Sequence, residues 1–273
     1  MRRLPPTAYL GLLAMLAFNL MPFYWMVSSS LKDGVEVVSF PATLWPEKIT
    51  LEAYSEIWLQ AGFLSYFSNS LAVSLSTAVF SSAFGVLAAY GFSRFRFRLR
   101  IGLMTLFLAS QMVPGVLLVL PYFKLLTLVG LYDTRIGLVL ALTTITLPFS
   151  VWMLKGYIDS VPIEIDQAAM IDGATRLQVL RLTVLPNIVP GLVATMTFAF
   201  LLAWGDVLWA LCLISDEAKL TMTLGITRLI GQWKVLWSQI MAATVIATLI
   251  PAVLNVALQR YIVMGLVDSA VRE

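Results

Sequence analysis

Histidine does not occur in the 273 residues of this chain, and cysteine occurs once, at Cys212. Without an imidazole, Ser-His and Cys-His nucleophilic catalysis and most zinc chemistry are excluded together. A lone thiol rules out an internal disulfide and any site built from several thiolates. The G-x-x-x-x-G-K-[ST] loop that cradles nucleotide phosphates is also missing, so ATP cannot be held by that device. Charge is scarce: Asp, Glu, Lys and Arg make 12% of the residues and the net charge is +3. So small an excess does not make a nucleic-acid surface. The expectation is a chain that is not an enzyme and binds no metal or cofactor of its own.

What the chain has instead is apolar length. Hydrophobic residues make 60% of it, well above the usual globular share. Several runs reach about twenty residues, enough for a helix to cross a hydrocarbon core of roughly 30 Å. The reading is an all-α, polytopic membrane protein, one domain over residues 1–273. Six transmembrane helices are expected, over about 7–27, 66–92, 101–120, 134–154, 187–213 and 238–260. The first run follows Arg2 and Arg3 as a signal peptide would, but it is too long and lacks a small-x-small cleavage site, so it is read as a retained span. Residues 32–62 read as an ordered polar loop with one short amphipathic helix at 51–58. The second span is rich in small hydroxyls, from Ser68 to Ser82, with Gly85, Ala88 and Ala89, and small residues let helices approach closely in lipid.

Topology follows from the basic residues. Arg94, Arg96, Arg98 and Arg100 crowd one short loop, the strongest cytoplasmic mark in the chain. An even number of spans puts both termini on that same side. With that assignment, Arg2, Arg3, the four loop arginines, Lys155, Arg176, Arg181, Arg260 and Arg272 lie inside. Lys32, Lys48, Lys124, Arg135, Lys219, Arg228 and Lys234 lie outside. The bias is eleven against seven.

The stretch from Tyr157 to Pro190 is a polar island between two apolar spans, and its order is that of two short helices around a glycine. Pro162 suits a first helical turn, and Glu164 and Asp166 fall near the positive end of the helix dipole. Gly173 is placed to close that helix in the left-handed conformation. Thr175-Arg176-Leu177-Gln178 matches a capping box. Leu177, Leu180, Val184 and Leu185 are expected along one side of the second helix, which Pro186 should stop.

These residues carry a resemblance. Ala168-Ala169, Asp172-Gly173-Ala174, Val184-Leu185-Pro186 and Pro190 resemble the cytoplasmic coupling loop of ABC-importer permeases of the binding-protein-dependent type. That pattern runs E-A-A-x-x-x-G, a nine-residue gap, then I/V-x-L-P. One departure is plain: Gln167 stands where the family has glutamate, with Asp166 just before it. The resemblance covers most of the chain and lies nearest the carbohydrate subgroup, which contains the second membrane subunit of the maltose importer. It implies a permease subunit of an ATP-driven importer in the cytoplasmic (inner) membrane of a prokaryote. It further implies a second, different permease chain, a pair of cytoplasmic ATPase subunits that bind ATP and Mg, and an extracytoplasmic solute-binding protein delivering a sugar or oligosaccharide. The coupling loop would be 157–186, with Glu164, Asp166, Gln167, Ala168, Ala169, Asp172, Gly173, Ala174, Leu185 and Pro186 as its ATPase-coupling residues. Read without the resemblance, the first helix could lie on the bilayer, but it is acidic and lacks the Lys/Arg face and aromatic anchors of such helices.

A substrate path is harder to read. Asp206 is the one acid expected inside a span, by default a functional candidate. Trp204 and Trp209 flank it, and together they can stack on a sugar face and accept its hydroxyls, or form an interfacial aromatic belt with a snorkelling acid. Asn69 and Gln111 are polar at membrane depth and either line a path or bond between helices. For Gly231-Gln232-Trp233, in the last outer loop, the resemblance implies by position a reach into the binding protein's ligand cleft; read without it, the segment is a partly structured connector. The alternatives in function are an ion-coupled secondary transporter, for which internal repeats and paired intramembrane charges are wanting, and an importer of another small polar solute such as a polyol or glycerol phosphate.

Overall fold

The structure, a computed structural model, describes residues 6–59, 62–231 and 235–270. Arg2, Arg3, Gln232, Trp233, Lys234 and Arg272 lie outside the described residues, as does the side chain of Arg260. Apart from one isolated bridge between Ile230 and Val235, regular structure among the described residues is helical. Four helices are long and apolar enough to cross a bilayer: Ala8–Ser30, Phe63–Arg94, Arg135–Ser160 and Trp237–Gln259. Two bent pairs meet the same test taken together, Arg100–Ser110 with Gly115–Leu128, and Arg176–Asn187 with Val189–Trp204. Counting each pair as one span gives six.

The bent pairs differ from the straight spans expected at 101–120 and 187–213. The first pair turns by 100°, and Pro114 is the cause. It caps Gly115–Leu128 with ψ 126° and has no N–H to continue the preceding ladder. The helix then runs through Pro121 to Leu128, where a connecting segment was expected. The second pair turns by 84° around Ile188, with Pro190 in the first turn of the Val189–Trp204 helix. That helix ends at Trp204, and a separate short helix, Leu208–Leu213, comes after Gly205. The fourth span extends to Ser160 with Pro148 inside it, so the polar stretch begins while the chain is still in that helix.

The described residues pack as two units, Met1–Leu64 with Gly225–Ile250, and Ser65–Leu224 with Pro251–Glu273. In the first, Tyr24 and Ser28 both donate to the Leu44 carbonyl, at 3.0 and 2.7 Å, which ties the loop to the end of the first helix. Lys32 is buried; its ammonium donates to the Thr43 carbonyl and lies 4.8 Å from the centre of the Trp25 ring. The short helix expected near 51–58 forms at Glu52–Leu59.

In the second unit, the middle of the Phe63–Arg94 helix is turned inside out relative to a helix in water. Asn69, Ser70, Ser74, Thr77, Ser81 and Ser82 are buried, while Leu75, Val79, Phe80, Phe84 and Leu87 are exposed. Lipid tails are as apolar as leucine, so the large side chains gain nothing by turning inward, and small residues allow close packing. Ser81 and Ser150 bond at 2.8 Å across to Arg135–Ser160. A Cβ on Gly85 would stand 3.1 Å from Leu154 Cδ1, and one on Gly191 would stand 2.3 Å from two ring atoms of Tyr157.

These distances predict an order of sensitivity. Gly191→Ala forces an aromatic ring to move and should destabilise by about 1–3 kcal/mol. Gly85→Ala meets Leu154 Cδ1 at 3.1 Å and Ser150 Cβ at 3.3 Å, a much smaller overlap, and should cost less. Thermal unfolding of the purified protein in detergent checks this, and the reverse order would show that these helices are not in the packing described.

Candidate functional site

The polar stretch folds as its residues dictate. Pro162, with ψ 134°, caps the helix Ile163–Ile171 and stands just ahead of its first turn, not within it as expected. Glu164 and Asp166 sit in that first turn, where carboxylates suit the unpaired N–H groups. At the far end Gly173 has φ 90°. Ala174 N–H donates to the Ala169 carbonyl at 3.0 Å and Gly173 N–H to the Met170 carbonyl at 3.1 Å, the paired closure that a left-handed residue permits. Thr175 and Gln178 then cap each other reciprocally.

The second helix departs from an ordinary α-helix. Val179–Val184 forms a π-helical turn. Such a turn closes i→i+5 bonds and fits an extra residue into the turn, so each residue rotates less than in an α-helix, and Val179, Leu180, Val184 and Ile188 come onto one buried face. Leu177, expected on that face, is 69% exposed instead. Pro186 does not stop the helix, which continues to Asn187 before the bend at Ile188. The buried face joins an apolar cluster with Val86, Ala89, Val151, Leu154 and Ile158, against which Ala169, Ala174 and Leu185 pack.

A polar anchor, unforeseen in the sequence, holds this element in place. Arg94 Nε donates to Asp166 Oδ2 at 2.8 Å and its Nη2 to the Val161 carbonyl at 2.8 Å. The pair is deeply buried, at 6% and 2% side-chain exposure. Asp166 Oδ1 has no hydrogen-bond donor among the described residues. Ser93 adds a bond to Asp159 at 2.6 Å, and the Arg176 guanidinium lies 5.1 Å from the centre of the Phe95 ring. So Arg94, in the last turn of Phe63–Arg94, grips the entry and first turn of the Ile163–Ile171 helix, while Phe95 just beyond it meets Arg176 at the start of the next one. Asp166 is the one expected coupling residue that points wholly inward, while Ala169, Ala174 and Leu185 are half-buried. Glu164, Gln167, Ala168, Asp172, Gly173 and Pro186 are exposed, with Ile171 at 86% and Leu177 at 69% beside them. A Cβ on Gly173 would meet nothing within 4 Å, so the surface over it is open.

The residues expected along a substrate path are not brought together in this way. Asp206 accepts the N–H of Trp209 at 3.3 Å and that of Ala210 at 2.9 Å, one on each carboxylate oxygen. It starts the Leu208–Leu213 helix, which is a capping task. Trp204 is buried and stacks on Phe200 at 5.5 Å; Trp209 is buried edge-on to Tyr122 at 5.1 Å. Asn69 donates to the Ala218 and Leu220 carbonyls, each at 2.9 Å. Gln111, exposed, sits in the break before Pro114 and donates to the Ile145 carbonyl at 2.9 Å. A second unforeseen tie lies nearby. Asp133, at φ 55°, accepts the N–H groups of Ser215 and Asp216 and pairs with Lys219 at 3.1 Å. The backbone donors, that of Asp216 first, hold the Asp133 carboxyl below the usual carboxylate range.

Comparison with known proteins then adds what geometry alone does not. Residues 81–273 match a family model described as "Binding-protein-dependent transport system inner membrane component". The chain is 38% identical, over 97% of its length and 95% of the other, to the inner membrane ABC transporter permease protein YcjP of Escherichia coli. It is 34% identical, over 93% of each, to the trehalose transport system permease protein SugB of Mycobacterium tuberculosis. Its fold matches a chain of a bacterial ABC transporter involved in import of the acidic polysaccharide alginate, with TM-score 0.82 at 20% identity over 96% and 99% of the two chains.

The anchor makes a specific prediction. Arg94→Leu alone leaves a buried carboxylate unpaired and should cost about 3–5 kcal/mol, as should Asp166→Leu leaving the guanidinium. The double variant removes both charges and should regain most of that loss. Unfolding midpoints, with proteolysis of the 157–186 segment as a second readout, test it. Single variants as stable as the parent would show that the pair anchors nothing.

Proposed function

The chain belongs to the family of binding-protein-dependent transport system inner membrane components, and from that premise we propose that its 157–186 element is the docking piece through which a separate ATPase drives transport. As a permease subunit of an ABC importer, the chain is a membrane-spanning part of a transport machine. On this reading it holds no ATP site. ATP and Mg are bound by a pair of cytoplasmic ATPase subunits, and a second, different permease chain completes the pathway. Both termini and the coupling element face the cytoplasm, and an extracytoplasmic binding protein presents the solute. The names of similar permeases, trehalose among them, support a sugar or oligosaccharide as that solute.

One observation carries the coupling role. The element turns an open, partly apolar surface outward at Ala168, Ile171, Gly173 and Leu177 while its other face is locked to the Phe63–Arg94 and Arg135–Ser160 helices. Apolar surface of this kind, rimmed by Glu164 and Asp172, is what a partner groove covers. A locked inner face means that a push on the outer face moves the long helices with it. An ion-coupled transporter gains no support from Asp206, whose two oxygens are already committed to backbone N–H groups.

The test is Ala168→Trp, at an exposed position with ordinary helical backbone, where bulk does not disturb the interior. The expected result is normal insertion and assembly with the second permease, loss of most ATPase co-purification, and uptake reduced at least tenfold. Unchanged uptake with bound ATPase would remove this surface from the mechanism. A sugar screen on the cognate binding protein checks the solute class separately.

A further inference from the structure

Of the four clustered arginines, only Arg94 is used by the anchor. The other three, Arg96, Arg98 and Arg100, line a surface cavity of about 790 Å³ together with Lys155. Among the described residues no carboxylate lines that cavity, and none of the three arginines is in an ion pair. Lys155 is held in place by Asp159, which also accepts the Ser93 hydroxyl. The helix Arg100–Ser110 begins at the last of these arginines with no side-chain cap at Leu99, and the positive end of its dipole adds to their charge. Below the arginines the lining becomes apolar, with Ile101, Met104 and Leu108.

We propose that this cavity is a binding site for an anionic phospholipid, its phosphate among Arg96, Arg98 and Arg100 and an acyl chain along Ile101, Met104 and Leu108. The argument is one of order along the helix. Arginines come first, with Phe97 between two of them, and a mostly apolar wall follows, which is the sequence of chemistry met on passing from headgroup to tail. A free phosphate would use the upper half only and leave the apolar wall without an occupant. A topology role explains the sign of the arginines but not their arrangement around one cavity.

The test uses the intact importer, purified in mild detergent and examined by native mass spectrometry with added phosphatidylglycerol, phosphatidylcholine or inorganic phosphate. The native complex should retain phosphatidylglycerol under activation that strips phosphatidylcholine. Neutralising two headgroup cations in Arg96→Gln/Arg98→Gln should weaken retention about thirtyfold. The charge-keeping Arg96→Lys/Arg98→Lys should stay within a few-fold of the parent. Thr105→Glu puts an acid on the cavity wall while leaving every arginine that governs insertion, so its expected loss of lipid cannot come from an inverted topology. Equal retention of phosphatidylcholine, an unaffected Gln double variant, or displacement of the lipid by millimolar inorganic phosphate would each overturn the proposal.

Discussion

A single guanidinium, that of Arg94, decides how the surface element of this permease relates to its membrane helices. The side chain leaves the last turn of one long helix and reaches Asp166 and the Val161 carbonyl 72 and 67 residues further along. A buried ion pair contributes little net stability, because desolvation offsets most of the Coulomb attraction. What it contributes is exclusion of other arrangements. Moving the Ile163–Ile171 helix by even one turn would leave two charges buried without partners. The apolar cluster behind it, where Val179, Leu180, Val184 and Ile188 meet Leu154 and Ile158, supplies attraction, but apolar packing alone tolerates sliding.

Several other features make sense once that element is fixed. The π-helical turn at Val179–Val184 is needed because four large apolar residues must share one face over a span where an α-helix would spread them. The left-handed Gly173 lets the chain reverse without a side chain covering the outward surface. The inverted pattern in the middle of Phe63–Arg94, with small hydroxyls inside and Leu75, Val79, Phe80 and Phe84 outside, gives the anchor a helix that packs closely against Arg135–Ser160. Rigidity on the inner side and openness on the outer side are two results of one arrangement.

The basic residues prove to have divided tasks. Arg94 is internal, Arg176 covers an aromatic ring, and Arg96, Arg98 and Arg100 remain open around a cavity. Among the cations assigned to the other side, Lys32 is buried against a carbonyl and a tryptophan, and Lys219 is shared between Asp133 and Asp216. A count of basic residues by side treats all of these as equal free charges.

Apolar run length, the Gly173 stop, the reciprocal cap of Thr175 and Gln178 and the absence of histidine and of a phosphate loop are local properties, and each could be read before any fold was known. Helix existence depends on residues three or four apart, and hydrocarbon thickness sets a length that a run either reaches or does not. The two short helices around Gly173 were legible for the same reason. The 100° bend before Gly115, the exposure of Leu177 and the capping task of Asp206 were not. Pro114 announces a break but not its angle, and a π turn changes which side chains share a face without changing their order. Least legible of all was the bond between Arg94 and Asp166. In the sequence each is a charge near a membrane surface; only folding, which brings distant segments into contact and strips them of water, makes each charge depend on the other for its neutralisation.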